Sequence, residues 1–422
     1  MVYRIPRFAA LVISICIVAQ GRTLAQADVK AGDVITKENA NLITDLVSPA
    51  IKWCVDRGMR IAIIDAEPIT LPKAYQAATE QYSSQVKIRA DGLALENWVA
   101  GQPFPKIDTA DPDVAKKIMY NYEARWGETD DLDITNFDAD TGAIGKEGSG
   151  MTVEKHFILD HFKRLYFRGR LYLDPKPSFE PNKDEARYKE SLHPIIEPFD
   201  LKGTGFTYYR YLDPNRHDDS WLYLPQLRRV RRLSSAQRSD ALFGQDTDLD
   251  SYGGYAGSIA WADWKFLGEK TVLAAMHGQN WPVKYGEGSG DFGFDDTWEK
   301  REVYVVESKS KLPQYAYSKR IIFVDKQAWV IPYTDIYDQA GELWKVWVNL
   351  YRMRKAPFDG ATEEPDTMPW LPSIFMVDIQ LDHATRAALP SNRFEREVGW
   401  SFNKNQATED FFTIAHLISS GR

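Results

Sequence analysis

Cysteine is nearly absent from this chain of 422 residues, which contains two. Cys16 lies in an apolar N-terminal run, and Cys54 follows Trp53. If the N-terminal segment is removed as predicted below, Cys54 alone remains, which excludes a disulfide within the mature chain and a metal site built on several cysteines. Its apolar neighbours predict that Cys54 is a buried thiol that packs as a small apolar side chain.

Long apolar runs are also missing after the N-terminus. The one near the start, residues 8–19, is shorter than the ~20 residues that span a bilayer. Arg4 and Arg7 precede it, and Ala25-Gln26-Ala27 supplies a small-residue cleavage pattern. This order is typical of a secretory signal peptide. We therefore expect residues 1–27 to be removed after Ala27 and the mature chain to work in the periplasm.

Positive charge is in deficit, and familiar catalytic patterns are lacking. The formal net charge of -8 argues against nucleic acid as a partner. None of the seven histidines stands in an HExxH arrangement, and there is no Gly-x-Ser-x-Gly elbow. We therefore predict no catalytic residue, no metal and no cofactor. An envelope enzyme that uses paired carboxylates is the weaker alternative, and no pattern favours Glu299, Glu302 and Asp325 over other acids.

Aromatic residues, by contrast, are abundant. They make up 13% of the chain, with 13 Trp and 21 Tyr, and many lie in alternating segments. Such a content suits a surface or cavity that contacts an apolar molecule, although core packing alone would also account for it.

Two styles of sequence follow each other along the mature chain. Helical patterns dominate residues 28–127, and helices are predicted over 36–48, 72–84 and 112–125. From about residue 151, β-branched and aromatic runs alternate with turns, and loops are predicted at 141–150 and 285–296. Strands are predicted over 165–173, 204–211, 301–307, 319–325 and 343–349.

Consecutive strands with few helices between them indicate an antiparallel sheet, curved or partly closed. The predicted fold class is therefore α+β and rich in β-structure, with helices covering a strongly curved sheet. No change in composition marks a linker, so residues 28–422 are expected to form one domain.

The most distinctive stretch is 219–233, where Trp-Leu-Tyr-Leu-Pro is followed by Arg228, Arg229, Arg231 and Arg232. Arginines beside aromatics could bind an anionic headgroup while the rings hold apolar chains. The alternative is that these arginines pair with nearby acids on a solvated corner, namely Asp240, Asp246, Asp248 and Asp250.

The pattern W-x-Y-x-P-x-L-x-R-V-R-R, with the continuation Gln237-Arg238-Ser239-Asp240, resembles the DUF1329 family of exported bacterial proteins. That family is related to the LolA/LolB-like outer-membrane lipoprotein-sorting superfamily. The resemblance covers nearly the whole mature chain. Further matching segments are 31–35, 45–55, 72–75, 101–105 and 341–346.

The resemblance implies a LolA-like half-barrel whose concave apolar face receives acyl chains in relatives. Family members occur with inner-membrane transporters of the RND type and with outer-membrane proteins. We expect a periplasmic carrier of a lipid or sterol-like molecule; the alternative is a non-enzymatic adaptor that docks to such a transporter or outer-membrane protein. The predicted ligand-binding residues are Trp221, Tyr223, Arg228, Arg229, Arg231, Arg232, Phe104 and Trp344.

Overall fold

The computed structural model describes residues 29–146, 149–234, 238–286, 291–358, 360–389, 391 and 399–422. The predicted signal peptide lies outside the described residues. Within the described part, no helix combines the length and the apolar character needed to cross a bilayer.

The described residues contain four α-helices: α1 (Pro49–Asp56), α2 (Lys73–Tyr82), α3 (Val114–Glu123) and α4 (Ile414–Ser420). The helices predicted over 72–84 and 112–125 are confirmed as α2 and α3. The helix predicted over 36–48 is wrong, since that segment holds only a 3-10 turn at Ala40–Ile43. The helix begins instead at Pro49, because Ser48 Oγ accepts a hydrogen bond from the Ile51 N–H at 3.2 Å and proline is favoured at a first helical position.

Strands supply most of the remaining regular structure. Those before residue 200 are β1 (Val34–Ile35), β2 (Ile61–Ile63), β3 (Lys87–Ile88), β4 (Leu95–Glu96), β5 (Asp131–Ile144), β6 (Met151–Tyr166) and β7 (Ala186–Glu197). The next are β8 (Gly205–Tyr211), β9 (Asp219–Leu224), β10 (Arg229–Leu233), β11 (Ala262–Ala274) and β12 (Thr297–Ser310). The last are β13 (Lys319–Asp325), β14 (Tyr333–Tyr337), β15 (Leu343–Arg354), β16 (Met368–Asp378), β17 (His383–Ala388) and β18 (Trp400–Phe402).

Four of the five predicted strands are confirmed, as β8, β12, β13 and β15. The strand predicted over 165–173 is wrong beyond Tyr166. The buried Asp130 carboxylate accepts hydrogen bonds from the backbone N–H groups of Leu171, Tyr172 and Leu173 at 2.8, 2.9 and 2.6 Å. Because these groups are bonded to a side chain, the segment has no ladder to join. The loop predicted at 141–150 is shorter than expected, since β5 runs to Ile144.

In the part of the chain that the structure describes, sixteen strands form one sheet, whose central path is β1-β2-β12-β13-β14-β15-β16-β17-β5-β6-β7-β8-β9-β10. β11 pairs with β12, and β18 pairs with β5. The pairing is antiparallel except for the short parallel contact between β2 and β12. Among the described strands, β1 and β10 at the two ends of the path do not pair, so the sheet is open. The predicted class, a β-rich α+β protein with a large curved and open sheet, is therefore confirmed.

The curvature can be read from one aromatic side chain. β15 and β6 are four strands apart in the sheet order, or roughly 19 Å on a flat sheet. Yet the Tyr252 ring lies 5.5 Å from the Trp347 ring of β15 and 6.3 Å from the Phe162 ring of β6, between centroids. The sheet therefore bends around Tyr252, and this face is called the inner face below.

α1 covers the other face. On β15, Trp347 points to the inner face, whereas Val346 and Val348 pack with Ile51 and Cys54 of α1. Cys54 is fully buried, as predicted, and burial raises the pKa of its thiol. β15 thus carries apolar side chains on both faces, which fixes its position between two layers of core.

Beneath the first turn of α1 lies a buried carboxyl, Asp335, which accepts a hydrogen bond from Ser48 Oγ at 2.6 Å. Burial raises the pKa of Asp335 to about 7. In the unfolded chain it titrates near 4, so between about pH 4 and 7 the folded protein holds a proton that the unfolded chain has lost. The free energy of unfolding should therefore fall as pH rises through this window.

We expect Asp335→Asn to remove this fall. The variant should match the parent at pH 4 and exceed it above pH 7 by roughly 2–4 kcal/mol. Urea unfolding of both proteins at pH 4, 6 and 8 measures the difference. Two curves that stay parallel over this range would contradict the raised pKa.

Candidate functional site

The inner face encloses a cavity of about 260 Å³, called the larger cavity. Strands β5 to β10 form its floor, and they supply apolar side chains at alternate positions, as a pleated strand requires. These side chains include Phe157 and Leu159 of β6, Leu192 and Ile195 of β7, Phe206 of β8, Leu222 of β9 and Leu233 of β10.

A smaller cavity of about 110 Å³ adjoins it. Phe137 and Tyr252 line both cavities, so the two are neighbours along the inner face. The smaller one is walled by large aromatic side chains from several strands, among them Phe162, Trp347, Trp400 and Phe402. Together the cavities reach the lower end of the range for small-molecule sites, roughly 300–1,000 Å³.

Residues 238–256, here called the crossing segment, cover the larger cavity. The segment contributes four side chains to the cavity wall: Leu242, Phe243, Leu249 and Tyr252. The segment consists of turns and a short 3-10 helix at Tyr252–Gly254 and contains no strand. Its position over the sheet must therefore be held by side-chain bonds.

Buried charges fix one end of the crossing segment to β8 and to Asp218, which directly precedes β9. Arg238 Nε lies 2.5 Å from Asp250 Oδ1, and its Nη1 lies 2.7 Å from Asp218 Oδ2. Asp218 also pairs with Arg210 of β8, at 2.6 Å. Arg210, Asp218, Arg238 and Asp250 are all buried. Removing one partner from a buried ion network is costly, so these pairs hold the segment in one place.

The other side of the segment is fixed to β13 and β17. Asp248 accepts a hydrogen bond from Tyr317 at 2.7 Å and lies 3.6 Å from Arg320 of β13. Asp246 lies 2.8 Å from Nδ1 of His383 on β17, and this hydrogen bond raises the pKa of His383. The crossing segment thus ties the two halves of the curved sheet together over the cavity.

The smaller cavity has one polar end. Arg164 Nη1 lies 2.7 Å from Glu128 Oε1, and Arg164 Nε lies 2.5 Å from Glu190 Oε2. Arg125 stacks on Tyr122 and lies 3.4 Å from Glu128. The two arginines are therefore matched by two carboxylates. Glu128 Oε2 accepts no hydrogen bond from any described residue, which leaves one acceptor at this end.

The predicted residues Trp221 and Tyr223 lie on β9 but point away from the cavities. The Trp221 ring packs against Tyr209 at 4.9 Å, and Tyr223 lies against the backbone of Gly421 after α4. Leu222, between them, lines the larger cavity. Because successive side chains of a strand point to opposite faces, Leu222 lines the cavity and its two predicted neighbours do not.

The four predicted arginines are exposed at the sheet's last strand. Arg229 and Arg231 share the face of Leu233, which lines the larger cavity, and Arg232 pairs with Asp219 on the other face. Arg228 sits in the preceding turn, at a φ of 49°. Asp246, Asp248 and Asp250 pair elsewhere, as described above, so the ion pairs considered as the alternative are not formed with these acids.

Phe104 and Trp344 lie apart from the cavity walls. The loop that contains Phe104 is bonded to α3 through Asn121, whose Oδ1 accepts from the Phe104 N–H at 2.9 Å and whose Nδ2 donates to the Phe104 carbonyl at 2.8 Å. Trp344 donates from Nε1 to Asp378 at 2.8 Å and packs against Tyr317. Three positions further along the chain, Trp347 does line the smaller cavity.

Most of the lining residues were not among those predicted from the sequence. Phe157, Leu159, Phe162 and Trp347 could have been found from their regular spacing in strand-like segments. The apolar run Ala241-Leu242-Phe243, inside an Asp-rich and Gly-rich stretch, was a second available signal. An apolar run in a polar loop indicates that the loop packs on something.

On the opposite face, Asp138, Asp140 and His156 stand close enough to share a cation. Arg386 Nη2 lies 3.2 Å from Asp140 and already supplies positive charge there. His156 and His161 are five residues apart and would lie on opposite faces of a regular strand. Both nevertheless lie on the face opposite the cavities, where His156 pairs with Asp140 and His161 with Asp133. The alternation of β6 is interrupted between them, since Leu159 and Phe162 both join the inner cluster.

Taken together, the fold and site define a β-rich protein whose curved, open sheet encloses a largely apolar cavity under a bonded chain segment. A family described as Protein of unknown function (DUF1329) matches residues 34–417. The chain belongs to this family, which confirms the resemblance found in the sequence.

The similarity to individual relatives and solved structures is low in sequence. An uncharacterized protein of Pseudomonas aeruginosa is 25% identical over 291 residues, or 66% of this chain, and the chain spans 59% of the length of that curated relative. Among solved structures, an outer membrane lipoprotein-sorting protein domain from Vibrio parahaemolyticus is 17% identical, with a TM-score of 0.49. The match covers 73% of this chain and 100% of the Vibrio chain. A DUF1329 family protein of Desulfovibrio piger is 14% identical with a TM-score of 0.45, covering 72% and 97%.

Proposed function

We propose that this protein is a periplasmic, non-enzymatic carrier that binds a lipid or other hydrophobic molecule in the two adjoining cavities. One observation carries the proposal: a cavity lined almost entirely by apolar side chains is kept open beneath the crossing segment. An unfilled apolar space forfeits the contacts of close packing, so the fold gains nothing from it unless a ligand fills it. Residues 28–422 would act as one domain after removal of the signal peptide.

The smaller cavity suggests the chemistry of the ligand's polar end. Arg125 and Arg164 are already matched by Glu128 and Glu190, so an anionic headgroup would find no surplus positive charge there. The open acceptor Glu128 Oε2 suits a hydroxyl or another neutral donor. The proposed ligand is therefore an apolar molecule with a neutral hydrogen-bonding end, which includes sterol-like alcohols.

Mass spectrometry of an organic extract tests the proposal. The mature protein is purified from periplasm without detergent, and we expect one apolar species near equimolar amount. Competition against the fluorescent probe N-phenyl-1-naphthylamine should favour a long-chain alcohol over the matching acid. A protein that is empty and stays empty after incubation with envelope lipids would overturn the carrier and favour the alternative, an adaptor docked to an RND-type transporter or outer-membrane protein.

A further inference from the structure

Two turns meet at one end of the sheet, beside the larger cavity. The first joins β7 to β8 and contains a 3-10 helix at Phe199–Leu201; the second joins β9 to β10 and contains another at Pro225–Leu227. They touch, since Gln226 Nε2 donates to the Asp200 carbonyl and Gly203 approaches the Pro225 ring. The two turns together are called the tip below.

The tip presents large apolar side chains to solvent. The exposed fraction is 89% for Phe199 and 57% for Leu227. Single exposed apolar residues are ordinary on a protein surface. Here, however, they occupy neighbouring turns that are held by hydrogen bonds, so they cannot fold back into the core.

Basic side chains surround these apolar ones. Arg228, Arg229 and Arg231 are exposed and make no ion pair with any residue in the described ranges. Exposed Lys202 adds a fourth positive charge, against the exposed acids Glu197 and Asp200. In a chain with a net charge of -8, this end is locally positive.

We propose that the tip docks on the surface of an anionic phospholipid bilayer. Phe199 and Leu227 enter the boundary between headgroups and acyl chains, and the arginines bind phosphate groups beside them. Apolar insertion next to basic charge is the combination that gives peripheral proteins affinity for anionic membranes.

Docking of this kind brings the larger cavity close to the bilayer. Ile195 and Gly205 flank the first turn of the tip, and both line the cavity. A lipid that leaves the membrane would therefore travel only the depth of the tip to reach the lining. The docking itself needs no bound ligand, so it can hold or fail independently of the carrier proposal.

Vesicle flotation with the mature protein tests the inference. We expect binding to vesicles of phosphatidylglycerol and phosphatidylethanolamine, weakening as salt rises, and little binding to phosphatidylcholine vesicles. Because each basic residue contributes about fivefold to affinity, Arg229→Glu with Arg231→Glu should reduce binding at least about 25-fold. Phe199→Ser should reduce it about tenfold or more.

Matched changes away from the tip serve as controls. Lys265→Glu with Lys270→Glu makes the same charge change on exposed positions of β11, and Leu381→Ser removes another exposed apolar side chain, 73% exposed. Both should bind vesicles like the parent protein. Equal losses in control and tip variants, or no binding to anionic vesicles at low salt, would overturn the proposal and leave the tip for another partner.

Discussion

Replacing Asp218 by Asn is expected to lower the free energy of unfolding by about 3–5 kcal/mol. Asp218 is the buried carboxylate shared by Arg210 and Arg238, at 2.6 and 2.7 Å. Asparagine keeps the shape but removes the charge, and two buried guanidinium groups then lose their common partner. Loss of one partner from a buried ion network costs far more than loss of an exposed pair.

The neighbouring residue supplies the control. Asp219 pairs with Arg232 and Arg216, whose side chains are 69% and 45% exposed. Asp219→Asn should therefore cost about 1 kcal/mol or less. Chemical unfolding followed by tryptophan fluorescence compares the two variants. Equal losses would show that the Asp218 network does not hold the crossing segment, and Asp218→Asn should also weaken binding of an apolar probe if that segment shapes the cavity.

The strands that could be predicted are those whose local residue pattern alone favours a strand. β12, β13 and β15 carry β-branched and aromatic runs of strand length, and their pairing in the sheet agrees with this local preference. The segment after Tyr166 has a similar pattern, yet it forms no strand. Its N–H groups are bonded to Asp130, 41 to 43 residues earlier in the chain, and a local pattern does not contain that information.

Long-range contacts also limited what the sequence could predict about the candidate site. That the chain has a curved sheet with an apolar interior could be inferred from its aromatic alternation and its family pattern. Which residue of Trp221-Leu222-Tyr223 faces inward could not, because a shift of one residue exchanges the two faces of a strand. The role of the crossing segment could not be predicted from the sequence either. Arg320 and His383 hold the segment through Ser251 and Asp246, which lie about 70 and 140 residues away along the chain.

Leu222 and Trp221 therefore provide the sharpest test of the cavity as a ligand site. Leu222 lines the larger cavity, whereas Trp221 packs against Tyr209 on the other face. Leu222→Asp places a carboxylate in the apolar wall, where a bound hydrocarbon would have to desolvate it. Unfavourable burial of a charge costs several kcal/mol, so we expect apolar probe affinity to fall at least about a hundredfold.

Trp221→Asp introduces the same group one residue away, on the face that the cavity does not touch. It should lower stability through lost packing against Tyr209 but leave the affinity for an apolar probe within about threefold of the parent value, since each 1.4 kcal/mol is tenfold and no lining atom changes. Titration with N-phenyl-1-naphthylamine, at a temperature where both variants are folded, measures the two affinities. If Trp221→Asp abolished binding and Leu222→Asp did not, the ligand would contact the face of β9 that carries Trp221, a residue predicted from the sequence to bind ligand, and the cavity would not be the ligand site.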